Sequence, residues 1–157
     1  MKERRLEYMT KSAEETILLG EAIGKSAAPG LILALSGDLG AGKTQLVKGI
    51  AKGLGITETV TSPTFTILQT YENGRLPLHH LDVYRIEDED EMEEVGLWDC
   101  MDGKSVTVIE WAGRIADLLP KETVTGSLRR ENAGGQECRR ISFTVPEGVS
   151  FLPSCQS

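Results

Sequence analysis

The chain has 157 residues, 39% of them hydrophobic and 26% charged, a composition that suits one globular domain spanning 1–157 and able to bury its own core. No apolar run approaches the roughly 20 residues needed to cross a bilayer, and Met1 to Glu7 is charged where a secretory leader needs an apolar centre, so a soluble, membrane-free chain is expected. A formal net charge of -7 argues against direct electrostatic capture of DNA or RNA, and Cys100, Cys138 and Cys155, odd in number and far apart, suggest neither a disulfide framework nor a zinc site. A reducing cytoplasm fits that cysteine usage.

Ser12 followed three positions on by Glu15 reads as a capping box, opening a helix through Ile17, Leu18, Ala22 and Ile23. Pro29-Gly30 reads as a turn, and Leu31 to Leu35 is an apolar run of strand length that leads straight into a glycine-rich segment. From Lys43 a second helix carries Leu46, Val47, Ile50 and Leu54 at helical spacing and stops near Gly53 and Gly55. Val60 to Tyr71, bent early by Pro63, and Leu76 to Tyr84 form an expected antiparallel pair around Asn73-Gly74. Glu87 to Val95 reads as a helix with an acidic start. Val106 to Ile109 is a buried-type strand ending in Glu110, and a short helix through Ile115, Leu118 and Leu119 is ended by Pro120. Glu122 to Leu128 and Arg139 to Val145 alternate as a terminal hairpin joined near Gly134 and Gly135, and 146–157 reads as a tail.

Gly37, Gly42, Lys43 and Thr44 satisfy G-x-x-x-x-G-K-[ST], between a strand and a helix as that pattern requires. Glycines let successive backbone N–H groups of Gly37, Asp38, Leu39, Gly40, Ala41 and Gly42 turn inward toward phosphate oxygens, and the helix that follows adds its positive end. Lys43 can reach the β and γ phosphates, and the Thr44 hydroxyl can coordinate a bridging Mg2+. Both roles need a nucleoside triphosphate. A phosphate site of this kind also needs a carboxylate at the end of an apolar strand; Asp82 and Glu110 both qualify, and pattern alone does not rank them. No N-K-x-D guanine signature occurs, which favours ATP over GTP.

Four motifs in order, Gly37 to Thr44, Ser62-Pro63-Thr64-Phe65, His80-Leu81-Asp82-Val83-Tyr84-Arg85 and Ile109-Glu110-Trp111, closely resemble the TsaE (YjeE) family, bacterial ATPases required for tRNA threonylcarbamoyladenosine biosynthesis. The resemblance runs from about Glu15 to Pro120. It implies an α/β P-loop NTPase domain of three layers, with a mostly parallel central sheet plus antiparallel hairpins. It further implies an Mg2+-dependent ATPase that joins TsaB and TsaD, meets tRNA indirectly through that complex, and hydrolyses ATP to reset the transferase between turnovers. By the same resemblance Lys43 and Thr44 hold phosphate and Mg2+, Glu110 is the metal-site acid, Asp82 is a second carboxylate near the metal or the attacking water, Ser12 and Thr16 lie on the adenine side, and Ser62 and Thr64 sit in a switch-like loop.

Several residues carry plainer readings beside functional ones. Thr64 is a candidate γ-phosphate sensor. Trp111 is either packing or a cover over the site. His79 and His80 lack a ligand set, so His80 is expected to fix its strand rather than bind metal. Arg85 and Arg114 suit surface ion pairs better than transition-state fingers, and Glu87 to Glu94 suits a solvated helix face. Two rival functions stand beside the coupled ATPase: a P-loop small-molecule kinase, for which Arg129 to Arg140 is the one candidate lid, and a nucleotide-gated binding module.

Overall fold

The computed structural model describes residues 3–37, 42–60, 68–83, 96–110 and 119–152. In chain order the elements are β1 (Arg4–Thr10), α1 (Ala13–Ser26), β2 (Ile32–Gly37), α2 (Lys43–Gly53), β3 (Leu68–Tyr71), β4 (Leu78–Asp82), α3 (Leu97–Cys100), β5 (Val106–Glu110), β6 (Val124–Ala133) and β7 (Gln136–Val145). One seven-stranded sheet runs in the order β1-β7-β6-β2-β5-β4-β3. Its centre is parallel, β2 pairing with both β5 and β6, and β4 with β5. Its wings are antiparallel: β1, β7 and β6 on one side, β3 and β4 on the other.

The expected helices form where their signals lie. Ser12 caps α1 by accepting from the Glu15 N–H at 3.1 Å, and Glu15 reaches back to accept from the Lys11 N–H at 2.8 Å. At the other end of α2, Gly55 takes φ 82°, its N–H bonds Lys52 O at 3.0 Å, and the Ile56 N–H bonds Ala51 O at 3.0 Å, the paired bonds of a Schellman stop.

Leu33, Leu35, Leu78, Val106, Val108, Leu128, Ile141 and Phe143 present one face of the sheet to α1 and α2 residues such as Ile23, Leu46, Val47 and Ile50. Ile32, Ala34, Leu81, Val83 and Ile109 point the other way, against Trp98, Cys100, Met101 and Leu119. The two helices approach unusually closely, because Gly20 and Gly24 of α1 face Gly49 and Gly53 of α2. A Cβ added at Gly49 would stand 2.1 Å from Ile17 O, and one at Gly24 would stand 2.2 Å from Ile50 O.

Four features differ from the sequence expectation. The charged N-terminus is strand β1, whose Leu6 and Tyr8 pack on the core while Arg5 and Glu7 alternate outward, paired to β7 along its whole length. The Asn73-Gly74 turn is part of a six-residue connection between Tyr71 and Leu78, not a two-residue turn. Gly74 is needed there for proximity, since a Cβ would lie 2.6 Å from both Leu54 O and Ile56 Cγ1. Beyond Pro146 the chain turns back so that Phe151 and Leu152 are buried, Phe151 edge-on to Phe143 with centroids 5.1 Å apart. The terminal hairpin is longer than expected, with Gly134 and Gly135 at φ 62° and 83° making the two-residue turn. The expected helices over 87–95 and around 115–118 lie outside the described residues.

Cys100 is buried behind β5, and burial, then the charges of Asp99 and Asp102, push its thiol up to about 11. The thiolate is the reactive form, so Cys100 is expected to resist iodoacetamide in the native protein at pH 7.5 and to become labelled only on unfolding. Peptide mass spectrometry after labelling, with and without denaturant, checks this.

Candidate nucleotide site

Because β2, β5 and β4 are parallel, their carboxyl ends open at the same edge of the sheet, the edge at which ligands bind in open α/β folds. β2 ends there in Ser36-Gly37. Gly37 has φ 147°, and a Cβ on it would meet Leu128 O at 2.3 Å, so this glycine is required by the neighbouring strand β6 as well as by the loop it opens. Leu39, Gly40 and Ala41 lie outside the described residues, as does Asp38. The chain re-enters at Gly42, which is left-handed at φ 102° and starts α2 with no side-chain cap. The first turn of α2 contains no acidic residue. A helix start with no carboxylate of its own in the first turn favours an anion through its dipole.

Lys43 is buried, and its ammonium donates to Gly37 O at 3.0 Å, tying the start of α2 to the end of β2. Thr44, next on the helix, is half-buried. Glu110 ends β5 beside Leu35 of β2, and Asp82 ends β4 directly opposite Glu110 in the register. The two carboxylates that the sequence left unranked are thus neighbours on adjacent strands. They differ in setting: Glu110 is 3% exposed, whereas Asp82 is half-buried. Glu110 Oε2 is 2.5 Å from His80 Nε2, a hydrogen-bond contact with no exposed imidazole surface. Leu78, His80 and Asp82 alternate with Leu81 and Val83, which places His80 and Asp82 on the same sheet face as α2.

A cleft of about 230 Å³ adjoins Gly42, lined by Lys11, Ser12, Ala13 and Thr16 at the start of α1 and by Glu137 and Arg139 of β7. Ser12 and Thr16, expected on the adenine side, are therefore brought next to Gly42 at the start of α2. Their hydroxyls are not alike. The Thr16 hydroxyl is 2.7 Å from that of Thr10 and 3.3 Å from Ser12 O, so it ties β1 to α1, while its methyl faces Gly42. Glu137 and Arg139 reach the cleft from far along the chain, with no local signal of their own to place them there. Thr64, Ser62, Trp111, Arg85 and Arg114, and the acidic run 87–94, lie outside the described residues.

The segment weighed as a kinase lid is the β6–β7 hairpin, built into the sheet. Arg130 is paired with Glu137 at 2.6 Å, and Arg140 with Glu131 at 2.8 Å and with Glu7 at 2.9 Å, so these arginines are committed to ladders across the strands. No helix among the described residues is long and apolar enough to cross a membrane.

Comparison with known proteins shows the family. The family described as "Threonylcarbamoyl adenosine biosynthesis protein TsaE" matches residues 10–141. A tRNA threonylcarbamoyladenosine biosynthesis protein TsaE of Bacillus subtilis (strain 168) is 45% identical over 142 residues, 90% of this chain and 87% of that protein. One from Treponema pallidum (strain Nichols) is 46% identical over 129 residues, 82% of this chain and 95% of that protein. The crystal structure of YdiB from Bacillus subtilis superposes with a TM-score of 0.78 at 39% identity, covering 92% of this chain and 88% of that one. With a family match across most of its length and relatives this similar, the chain belongs to the TsaE family and so to tRNA threonylcarbamoyladenosine biosynthesis.

Proposed function

We propose that this chain is a P-loop NTPase that hydrolyses ATP, with Mg2+, as a cytoplasmic component of the threonylcarbamoyladenosine machinery. One observation carries the reading: the uncapped start of α2 with Lys43, and the carboxylates of Glu110 and Asp82, lie at the carboxyl ends of adjacent parallel strands on the same face of the sheet. Backbone N–H groups from Gly37 to Thr44 cradle the phosphates, and Lys43 leaves Gly37 O for the β and γ phosphates. The cleft between α1 and β7 takes the base and sugar, with Ser12 and the Thr16 methyl along its wall.

The residues fit Mg2+. Among the described residues no cluster of three or more His, Cys, Asp or Glu forms a closed cage. A cation held by one or two carboxylates, a hydroxyl, phosphate oxygens and water is the usual Mg2+ arrangement at phosphates, and Thr44, Glu110 and Asp82 are the side chains that would supply it. The ion would neutralise charge that develops on the phosphate oxygens. Asp82, the more exposed carboxylate, orients the attacking water, and Thr64 reports the γ-phosphate. Catalysis by this set is positioning and charge stabilisation, which is slow until partners complete it. Those partners are TsaB and TsaD, through which tRNA is met indirectly, and turnover of ATP resets their complex.

Phosphate release from Mg-ATP, measured for the chain alone and then with TsaB, TsaD and tRNA, tests this. Stimulation by the assembled partners is expected, and Glu110→Gln should remove it. No stimulation together with no complex, or transfer of phosphate to a small acceptor, would overturn the reading in favour of a kinase.

A further inference from the structure

His80 sits in the middle of β4 with no exposed surface, and the site described above gives it no task. Its Nε2 meets Glu110 Oε2, while its Nδ1 is buried with no hydrogen-bond partner among the described residues. Core filling alone does not account for an imidazole here: an aliphatic side chain would fill the space between Leu78 and Asp82 without stranding a polar nitrogen. The energetic reason for the imidazole therefore lies in the bond made by its other nitrogen.

The geometry points to His80 as a positioning residue that holds the Glu110 carboxylate ready for a cation. The Nε2–H donates to Oε2 and fixes the carboxylate's orientation, leaving Oε1, which accepts no hydrogen bond among the described residues, as the oxygen free to ligate. The arrangement also serves Glu110 before any ion arrives, since a carboxylate withdrawn from water needs a donor. Glu110 cannot be ordered by its own strand in this way. The donor comes from β4, 30 positions away, and the parallel β4–β5 register sets it diagonally beside the strand end. This role rests on the reading of Glu110 as a metal-site acid. Outer partners that orient a ligand in this manner set its affinity for metal, and their loss costs about ten- to a hundredfold.

The test uses the full chain and a fluorescent N-methylanthraniloyl-ADP, titrated with Mg2+ and, separately, in EDTA. His80→Met removes the donor at similar volume, His80→Gln can place an amide N–H where Nε2 was, and His80→Asn ends one atom short. The Mg2+ concentration for half-maximal response should rise about ten- to a hundredfold in the Met and Asn variants and stay within about threefold in the Gln variant. Binding in EDTA should be alike in all. Equal Mg2+ dependence in the Asn and Gln variants, whether unchanged or shifted together, would overturn the role, and that pair decides the matter if His80→Met does not fold. A parent protein that responds to Mg2+ while its variants match it removes only the role of His80. A parent that binds nucleotide with no response to Mg2+ removes the metal reading of Glu110 and this role with it.

Discussion

Glu110→Gln is expected to lower ATP turnover by about a hundredfold or more while nucleotide affinity in the absence of Mg2+ stays within about threefold. The amide is nearly isosteric and its oxygen can still accept from His80 Nε2, so the local fold survives and only the ligand charge is lost. Glu110→Ala should differ in kind. It strands both nitrogens of an imidazole that has no exposed surface, a loss of about 1–3 kcal/mol for the unsatisfied donor, or roughly 3–9 °C in Tm for a chain of this size. Paired turnover assays and thermal melts of the two variants separate chemistry from stability. Equal turnover in Glu110→Gln and the parent would remove Glu110 from the site.

The second large effect concerns helix packing. Gly49 lies inside α2, where helix propensity alone predicts that Ala would stabilise by about 1 kcal/mol. Packing predicts the opposite. The added Cβ would be 2.1 Å from Ile17 O and 2.9 Å from Gly20 Cα, both backbone atoms, which cannot rotate away as a side chain can. Forcing the helices apart costs about 3 kcal/mol at the upper end of overpacking losses, so packing outweighs propensity, and Tm should fall by about 5 °C or more. Gly49→Val should be worse, with β-branching added. Gly134→Ala, at φ 62° with open space around it, is the control and should cost no more than about 1–2 kcal/mol. The packing also matters to the site, since α1 carries Ser12 and Thr16 and α2 carries Gly42 and Lys43. Melts of the three variants test it; a Gly49→Ala protein as stable as the parent would contradict the close approach.

What the sequence made legible was local. The Gly37 to Thr44 segment announces itself because the residues of its pattern are contiguous, and β2 and α2 show their periods on either side. Asp82 and Glu110 were recognisable as strand-end carboxylates, yet their adjacency depends on a register between β4 and β5 that no local pattern encodes. The same holds for His80, whose partner is 30 residues away. β1 was missed although Leu6 and Tyr8 alternate with Arg5 and Glu7, because the charges on its open face dominate so short a run and its partner β7 lies at the far end of the chain. Gly20, Gly24, Gly49 and Gly53 recur at intervals of four along two helices, a visible signal, but glycine alone reads as a weak helix former; only the partner helix explains it. The cleft wall from Glu137 and Arg139 required β7 to be placed beside β1 and so near α1.

On the proposed function the start of α2 is a phosphate site for Mg-ATP. Calorimetric titration of ATP into the purified chain, with and without Mg2+, on the parent and on Lys43→Ala, tests it most directly. One site per chain is expected in the parent, tightened by Mg2+, with at least about a hundredfold weaker binding in Lys43→Ala, since a buried charge-assisted contact to phosphate is removed. No binding by the parent, or equal affinity in the two proteins, would contradict it.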